Sequence, residues 1–548
     1  MTETRTAAQI LVDCLVAQGT SHAFCVPGES YLAVLDALYD ARNSIQLVTG
    51  RHEAGVANMA EAHGKLTGRP GVAFVTRGPG ATHAAIGVHT AKQDSTPLIL
   101  FIGQIDRATR DREAFQEVDY RAMFGTVAKW VAEIDDASRM AEYVTRAFAV
   151  AMNGRPGPVV LALPEDMLVE AVPARVPPRV EPVRAAAVPA DIARIEALLA
   201  RARRPLVVLG GSGWSAAGLA AVQAFAEANR LPVATGFRRK ALIDNRHPCY
   251  VGELGLGPNP KLAARTREAD LLIVLGSRLS EVVTSGYTLV EAPLPRQTLV
   301  HVHPDSGEIG RVYQAEVGIA ASLDCVAAAL AAVRVDSAAW AADTATARAD
   351  YEAWVAPVAV GEGVNLAAVM AHLAEVLPED AILTNGAGNF AAWLHRFYEH
   401  RRPGTQLAPT NGAMGYGLPA AVAAKLVDPA RTVVCIAGDG DFQMSFQELS
   451  TAAQYGAAII VLVANNGVYG TIRMHQDREY PGRVSGTTMM NPDFAALARA
   501  YGGHGARVER TEDFPAAFAQ ARAAGTLAVL DLAVSPKFIS PTKTLSDL

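Results

Sequence analysis

The sequence has 548 residues, half of them hydrophobic and 19% charged, and carries a net charge of −6. This composition supplies several hydrophobic cores and excludes bulk disorder, and a soft prior of about 150 residues per domain predicts three or four packed units. No run of Lys and Arg is present. Neither nucleic acid nor an anionic membrane is therefore expected as a partner, and small molecules are favoured.

The five cysteines are scattered and show no CxxC spacing, which indicates a reducing compartment and argues against a zinc site. The polar N-terminus, MTETRTAAQ, lacks the apolar region of a signal peptide. No apolar run approaches the ~18 residues needed to span a bilayer. The cytoplasm is therefore the expected location.

Two changes in composition divide the chain into three blocks. Residues 170–191 contain five prolines, which cannot occupy helix interiors or central strands, so this stretch is predicted to be a linker. An Ala-rich helical segment within residues 334–363 ends in the loop PVAVGEG, and a new amphipathic helix begins near Asn365. The expected domains are residues 1–172, 190–340 and 360–548.

Short apolar runs alternate with helical patterns in each block. The first block carries SIQLVT, GVAFVT and PLILFIG, the second PLVVLGG, LPVATG, DLLIVLGS and TLVHVHP, and the third AILTN, TVVCIAG, AAIIVLVANN and LAVLDLAV. This alternation predicts βαβ units, and therefore an α/β fold class with three open parallel-sheet domains. Ligands of such sheets bind beyond the carboxyl ends of the strands, where Gly-rich turns lead into helices.

Polar groups follow two strands of the third block. Gly438, Asp439 and Gly440 lie at the end of TVVCIAG, and the next apolar strand ends at Asn465 and Asn466. Neighbouring parallel strands end side by side, so a carboxylate and an amide oxygen are expected to converge. Such ligands suit Mg²⁺, and the glycines allow backbone N–H groups to approach phosphates. The alternative is a tight turn followed by an ordinary cap.

This GDG and NN pattern resembles the signature of thiamine-diphosphate enzymes. The resemblance implies that the Asp439 carboxylate, the Asn466 amide oxygen and the Val468 carbonyl hold Mg²⁺ against the diphosphate. It also implies that TNGAGNF binds the diphosphate and that TNGAMGYGLPAA grips the aminopyrimidine ring. The expected cofactor-binding residues are Gly28, Gly388, Asn389, Phe390, Gly412, Met414, Gly438, Gly440 and Asp441.

Glu53 is the expected catalytic carboxylate. It begins a helix just after the strand SIQLVT, although the helix dipole alone also favours Glu in a first turn. The stretch RHEAGVANMAEAHGKLTGRPG resembles the one around the activating glutamate of the thiamine-diphosphate enzymes. This implies that Glu53 exchanges a proton with the aminopyrimidine, while the cofactor supplies the carbanion chemistry.

Within this superfamily the chain is similar to the acetohydroxyacid synthases. AFQEVD resembles their substrate-side stretch, which implies that Phe115 and Gln116 are active-site residues, and Lys129 falls where those enzymes also have a lysine. His475 replaces a tryptophan that helps to select the second oxo acid, and His83 replaces a usual asparagine. The implied activity is a lyase or carboligase that decarboxylates a 2-oxo acid and forms a carbon–carbon bond. The acceptor and the role of His83 stay open.

The middle block contains a second motif, GGSGWSA, in which Gly211, Gly213 and Ala216 show the GxGxxA spacing of dinucleotide sites. No acidic residue ends the next strand, which argues against NAD. Related synthases and oxidases hold FAD in this block, but their RFDDR pattern is RLSE here, so both FAD and an empty middle domain stay open. An FAD-linked pyruvate oxidase and a lyase acting on 2-hydroxyacyl-CoA or oxalyl-CoA are the rival functions.

The resemblance also implies an assembly, because in this family the carboxylate-bearing block of one subunit faces the cofactor-binding block of another. A homodimer or homotetramer is expected, with thiamine diphosphate and Mg²⁺ as cofactors. The joint presence of Glu53, Asp439 and Asn466 argues against a scaffold that has lost catalysis. Residues 470–490 are expected to close over the substrate. Three other histidines are expected to be structural: His52, His63 and His89.

Overall fold

Three six-stranded parallel sheets organise the computed structural model, which describes residues 3–545. Each sheet is built from one successive stretch of the chain, so the predicted α/β class with three open parallel sheets is confirmed. Many of the strands are buried along their whole length because helices cover both faces of the sheets. The domain limits given above stay predictions, and the three six-stranded sheets fall inside them.

The first domain contains the following elements: β1 (Thr4–Thr6), α1 (Ala7–Ala17), β2 (His22–Cys25), α2 (Leu32–Asp40), β3 (Gln46–Thr49), α3 (Glu53–Thr67), β4 (Gly71–Val75), α4 (Pro79–Asp94), β5 (Leu98–Gln104), α5 (Tyr120–Phe124), β6 (Trp130–Glu133), α6 (Met140–Met152), β7 (Pro158–Pro164), α7 (Glu165–Leu168) and β8 (Ala171–Pro173). Its sheet has the order β3-β2-β4-β5-β7-β6. The short strands β1 and β8 pair separately in an antiparallel manner.

The central domain contains the following elements: α8 (Pro189–Leu199), β9 (Pro205–Leu209), α9 (Ala216–Ala228), β10 (Val233–Thr235), β11 (Tyr250–Glu253), α10 (Pro260–Glu268), β12 (Leu271–Leu275), β13 (Thr298–His303), β14 (Val317–Ala320), α11 (Leu323–Leu330) and α12 (Ala341–Val355). Its sheet has the order β11-β10-β9-β12-β13-β14. Counted within the domain, this is the order of dinucleotide-binding folds, with a switch point between β9 and β12.

The third domain contains the following elements: α13 (Leu366–Val376), β15 (Ile382–Asn385), α14 (Phe390–Phe397), β16 (Gln406–Leu407), α15 (Gly417–Val427), β17 (Val433–Gly438), α16 (Asp439–Gln443), α17 (Glu448–Gln454), β18 (Ile460–Asn465), α18 (Gly470–Glu479), α19 (Phe494–Ala500), β19 (His504–Val508), α20 (Phe514–Ala523) and β20 (Ala528–Ala533). Its sheet has the order β16-β15-β17-β18-β20-β19. The first and third sheets therefore share one topology, which the central sheet does not.

One hydrophobic core joins the first and third domains. Helix α3 packs against both α4 and α15, and Val56 of α3 belongs to the same buried cluster as Leu418 and Val422 of α15. Gly87 permits the close approach of α4, since a Cβ atom there would lie 2.4 Å from the Cβ atom of Ala57. The central domain has cores of its own. Across residues 3–545, no helix has both the length and the apolar character needed to cross a bilayer.

Candidate active site

A cleft of about 240 Å³ opens at the carboxyl ends of β15, β17 and β18. It collects the polar turns that follow these strands, as expected for an open parallel sheet. The structure brings eleven of the predicted residues to its wall: Gly388, Asn389, Phe390, Gly412, Met414, Gly438, Asp439, Gly440, Asp441, Asn466 and Val468.

Asp439 is buried and its carboxylate is fixed by four donors. Oδ2 accepts hydrogen bonds from the amides of Asn466 (3.1 Å) and Gly467 (2.7 Å) and from Nδ2 of Asn491 (2.7 Å). Oδ1 accepts one from the amide of Gly440 at 2.9 Å. Burial raises the pKa of this carboxyl, and the hydrogen bonds oppose that shift. The carboxylate is thus held in one orientation at the cleft.

The adjacent amides of Asn465 and Asn466 have different partners. Asn465 donates to Oδ1 of Asp531 at 2.9 Å and accepts from Asn491 at 2.8 Å, so it links the neighbouring strands β18 and β20 to the segment that contains Asn491. Asn466 lines the cleft, and its Oδ1 accepts from the amide of Val468 at 3.1 Å. One carboxylate, one amide oxygen and a nearby backbone carbonyl form a hard-oxygen donor set that fits Mg²⁺.

The glycines of the GDG turn leave the space that a diphosphate would need. A Cβ atom on Gly438 would lie 2.8 Å from the ring of Phe390, and one on Gly440 would lie 2.6 Å from the ring of Tyr469. Side chains at these positions would therefore displace the aromatic walls of the cleft. Bare backbone faces the ligand space instead, which fits a phosphate-binding turn.

Asp441 holds two of the predicted cofactor turns together. Its Oδ1 accepts hydrogen bonds from the amides of Gly415 (2.8 Å) and Ala387 (3.2 Å), one from each turn. Burial raises its pKa to about 7. Whether Asp441 also touches the cofactor stays a prediction, but its contacts connect the turn before Phe390 to the segment that contains Met414.

The segment around Met414 is anchored by the first domain. The amide of Thr410 donates to Oδ1 of the buried Asp94 at 2.7 Å. Nδ2 of Asn411 donates to Oγ1 of Thr90 at 3.1 Å. Both acceptors lie on α4 of the same chain, so the packing of the first domain fixes the cofactor segment of the third.

Glu53 begins α3, and its side chain is only 12% exposed. Its Oε2 lies 2.9 Å from Nδ1 of His83, whose side chain is 52% exposed. The ring of His83 stacks on that of His52 at 4.5 Å between centroids. His83 thus contacts the predicted catalytic carboxylate directly, and its partner could not be named from the sequence because α3 and α4 are separate helices.

Gln116 and Phe115 lie beside the turn between β4 and α4. A Cβ atom on Gly78 would lie 2.8 Å from Cβ of Gln116, and the buried Oε1 of Gln116 has no hydrogen-bond partner. Gln116 has a φ of 67°, while the Phe115 side chain is 76% exposed. Gly28 lies at the same sheet edge, where a Cβ atom would meet that of Thr76 at 2.5 Å. An unpartnered buried amide oxygen next to an exposed aromatic ring is typical of a ligand-facing surface.

Lys129 lies apart from this group. Its Nζ donates to the backbone carbonyls of Val150 (2.6 Å) and Asn153 (2.8 Å). Burial lowers its pKa to about 8. It lines a cavity between the first and central domains, together with Arg155 and Arg278. Its catalytic role stays a prediction, and within one chain the side chain points to backbone rather than to Glu53.

The two predicted halves of the site do not meet within one chain. The lining of the third-domain cleft runs from Val360 to Ile539, and the first domain contributes nothing to it. Glu53 instead lies beside the start of α4, near Gln116: a Cβ atom on Gly80 would lie 3.4 Å from Oε1 of Glu53, and one on Gly78 would lie 2.8 Å from Cβ of Gln116.

The central domain has a cleft of about 330 Å³ at the switch point of its sheet. Gly211 follows β9 with a φ of 73°, and a Cβ atom there would lie 2.3 Å from the carbonyl oxygen of Gly276. The carbonyl of Gly211 accepts a hydrogen bond from Nε of Arg239 at 3.0 Å. The tight glycine turn, the cation and the topology fit a dinucleotide.

Three domains of one known enzyme family match successive stretches of the chain. The thiamine pyrophosphate enzyme N-terminal TPP binding domain matches residues 5–123, the central domain residues 192–330, and the C-terminal TPP binding domain residues 386–532. The chain therefore belongs to the thiamine pyrophosphate enzymes, which confirms the resemblance inferred from its motifs.

Several proteins similar to this chain along most of its length are acetolactate synthase large subunits. The chain is 32% identical to the acetolactate synthase large subunit of Parasynechococcus marenigrum, over 93% of this chain and 84% of that protein. It is 30% identical to the acetolactate synthase isozyme 2 large subunit of Escherichia coli, over 93% and 92%. Identity to the acetolactate synthase large subunit of Corynebacterium glutamicum is 32%, over 95% and 85%.

Proposed function

We propose that the protein is a thiamine-diphosphate-dependent carboligase that decarboxylates one 2-oxo acid and joins the remaining carbons to a second, as in acetolactate formation. The observation that carries this proposal is one chain with both halves of the site. The third domain holds the glycine-walled cleft around Asp439, and the first domain presents Glu53 beside Gln116. The match to acetolactate synthase large subunits over 93% of the chain supports the carboligase over its rivals.

Asp439, Asn466 and the carbonyl of Val468 would hold Mg²⁺, and the turns around Gly388 and Gly438 would hold the diphosphate. When bound, thiamine diphosphate supplies a nucleophilic carbon and stores the electron pair that CO₂ leaves behind. The protein's share of the work is orientation. Four donors on Asp439 and two on Asp441 hold the cleft in place before any ligand arrives.

Glu53 would hold and release a proton at its Oε atoms, in a pocket that excludes most water because the side chain is largely buried. His83 orients that carboxylate through the 2.9 Å contact with Nδ1. Gln116 offers a free amide oxygen, and Phe115 an apolar surface, on the side where the substrate would lie.

A homodimer or a larger even assembly is part of this proposal, because each cleft needs Glu53 from another copy. Magnesium as the metal and FAD in the central cleft are also proposals, supported by the donor set at Asp439 and by the glycine turn at Gly211. An FAD-linked oxidase is the second candidate because that central cleft fits a dinucleotide. Cytoplasmic location is proposed on the five cysteines, all of which are unpaired.

The test is an assay of the purified protein with thiamine diphosphate, Mg²⁺ and pyruvate, in which CO₂ and the carbon products are both measured. Acetolactate is the expected product. Acetaldehyde alone would reassign the protein as a decarboxylase, and a flavin spectrum that bleaches under anaerobic pyruvate would favour the oxidase. The absence of CO₂ release would contradict pyruvate as the substrate and direct the assay to acyl-CoA thioesters and larger oxo acids.

A further inference from the structure

Glu448, the first residue of α17, is a completely buried carboxylate at the contact between the third and first domains. Its Oε1 accepts hydrogen bonds from the backbone amides of Arg51 and His52, both at 3.1 Å. Oε2 lies 3.2 Å from the amide of Arg51 and accepts a hydrogen bond from Oγ1 of Thr451 at 2.6 Å. Arg51 and His52 are the two residues that directly precede Glu53.

The backbone around this carboxylate leaves no spare room. A Cβ atom on Gly55 would lie 2.5 Å from Oε1 of Glu448, and one on Gly50 would lie 3.4 Å from Oε2. Gly55 thus lets α3 approach the carboxylate closely, whereas a Cβ atom on Gly50 would first meet Cγ2 of Val56 at 2.6 Å. The turn between β3 and α3 is shaped to this one side chain.

A second side chain of the same region contacts the preceding strand. The hydroxyl of Tyr455 accepts a hydrogen bond from the amide of Thr49 at 2.8 Å and donates to the carbonyl of Leu47 at 3.2 Å. Tyr455 therefore holds the end of β3, whereas Glu448 holds the turn that follows. The two contacts can be removed separately.

We propose that Glu448 is a positioning residue for the catalytic carboxylate. It holds the turn at residues 50–52, and this turn fixes the direction in which the Glu53 side chain projects from the start of α3. This inference rests on the role proposed for Glu53. Amides at the start of a helix have no partner within the helix, and a buried carboxylate without donors is costly, so each group fixes the other. Burial raises the pKa of Glu448, and hydrogen bonds from Thr451, Arg51 and His52 favour the ionised form.

The direction of Glu53 matters because proton transfer depends on distance. A displacement of about 1 Å costs about 10²-fold in rate. Glu448 does not line the cleft at Asp439, and its hydrogen bonds go to the two residues before Glu53 rather than to Glu53 itself. Its loss is therefore expected to reduce proton exchange without reducing cofactor affinity.

The experiment compares the wild type with Glu448→Gln, which keeps the shape but places an amide group against two N–H donors. Hydrogen–deuterium exchange of the cofactor-free protein, read by mass spectrometry, should show faster exchange at the amides of Arg51 and His52. With thiamine diphosphate and Mg²⁺ bound, deuterium exchange at the thiazolium carbon should be about 10²-fold slower, with the affinity for thiamine diphosphate within about twofold.

Tyr455→Phe is the matched control. It removes a hydroxyl from the same contact between the domains, but that hydroxyl binds Thr49 and Leu47, which precede the turn at residues 50–52. It should speed amide exchange at Thr49 and leave thiazolium exchange unchanged. Equal defects in both variants, or unchanged amide exchange in Glu448→Gln, would overturn the proposal. If Glu448→Gln fails to fold, Gly55→Ala, which crowds the carboxylate from the other side, should give the same pair of effects.

These readouts separate this inference from the proposed function. Amide exchange needs no substrate, and thiazolium exchange needs the cofactor but no 2-oxo acid. If the wild-type protein exchanges the thiazolium proton but does not convert pyruvate, only the carboligase proposal is contradicted. If the Glu53→Gln variant exchanges the thiazolium proton as fast as the wild type, Glu53 does not have the role on which this inference depends.

Discussion

Residues that are neighbours in the sequence take different tasks at the cleft, according to partners from distant segments. Both Asp439 and Asp441 line the cleft, but Asp439 accepts hydrogen bonds from the turn after β18, whereas Asp441 accepts them from the amides of Gly415 and Ala387. Asn491 supports Asp439 although it lies well beyond the GDG and NN pattern. The role of each carboxylate or amide in this cleft thus depends on its contacts with residues that are distant in the sequence.

Glu53→Gln is expected to keep thiamine diphosphate bound and to reduce turnover by about 10²- to 10⁴-fold, because the amide cannot take part in proton transfer. Steady-state assay and a cofactor binding titration measure the two effects. Glu142→Gln, at an exposed carboxylate on α6 of the same domain, serves as the control and should behave as the wild type. Near wild-type turnover of Glu53→Gln would remove this residue from the mechanism.

Asn491→Ala is expected to weaken Mg²⁺ binding by about 10- to 100-fold, as is usual for partners that orient a ligand. Without its Nδ2 group, the Asp439 carboxylate loses one of the donors on Oδ2, and Asn465 loses the same partner. The measurement is the Mg²⁺ dependence of thiamine diphosphate binding. Met490→Ala changes the adjacent, 95% exposed side chain and should leave that dependence unchanged; an equal loss in both variants would contradict the assignment.

Strand ends were the most predictable elements of this molecule. Apolar runs bounded by glycine or asparagine marked where β17 and β18 stop, and the rule that parallel strands end together then located the cleft. Helix α18 was not predicted within the expected closing segment 470–490, because none of its residues is buried and it shows no apolar face. The direction of the Lys129 side chain could not be predicted from the sequence either, since its hydrogen-bond acceptors are backbone carbonyls, which no residue type identifies. Closure of that segment stays a prediction.

Helix α3 carries a buried histidine that should make stability depend on pH. Burial, with the positive charge of His22 as a second cause, lowers the pKa of His63 from 6.5 to about 4. Between these values the unfolded chain binds a proton that the folded chain does not, so stability present above pH 6.5 is lost as the pH falls towards 4. The loss between pH 7 and pH 5 is about 2 kcal/mol.

The variant His63→Leu removes this one contribution. Its melting temperature should fall less than that of the wild type when the pH changes from 7 to 5, as measured by scanning calorimetry. His475→Gln, at an exposed position on α18, is the control and should show the full wild-type decrease. Parallel decreases in His63→Leu and the wild type would show that the pKa of His63 is the same in the folded and unfolded protein.

At the scale of the whole molecule, the face that bears Glu53 does not line the cleft that bears Asp439 in the same chain. The same chain holds the two apart, because α3 packs on α15 and the cofactor segment at Thr410 is fixed to Asp94. The order of motifs along the sequence could not reveal this separation. The family resemblance implied it, since it places the two blocks on facing subunits.

Mixed assemblies test this arrangement. Heterodimers of a Glu53→Gln chain and an Asp439→Ala chain should retain about half of the wild-type turnover per dimer, since one of the two sites then receives both intact halves. Either variant alone should be inactive. Heterodimers of a wild-type chain with a chain that carries both changes are the control, and they should be inactive because each site contains one defect. The reverse pattern would show that each site is built from a single chain.

The core shared by α3 and α15 also affects how the chain is made on the ribosome. Helix α3 ends at Thr67, whereas α15 begins only at Gly417, after the whole central domain. At typical synthesis rates this delay is roughly 20 to 70 s. During that time the outer apolar side of α3 has no partner from its own chain. The nascent first domain should therefore be a client of ribosome-associated chaperones until the third domain emerges.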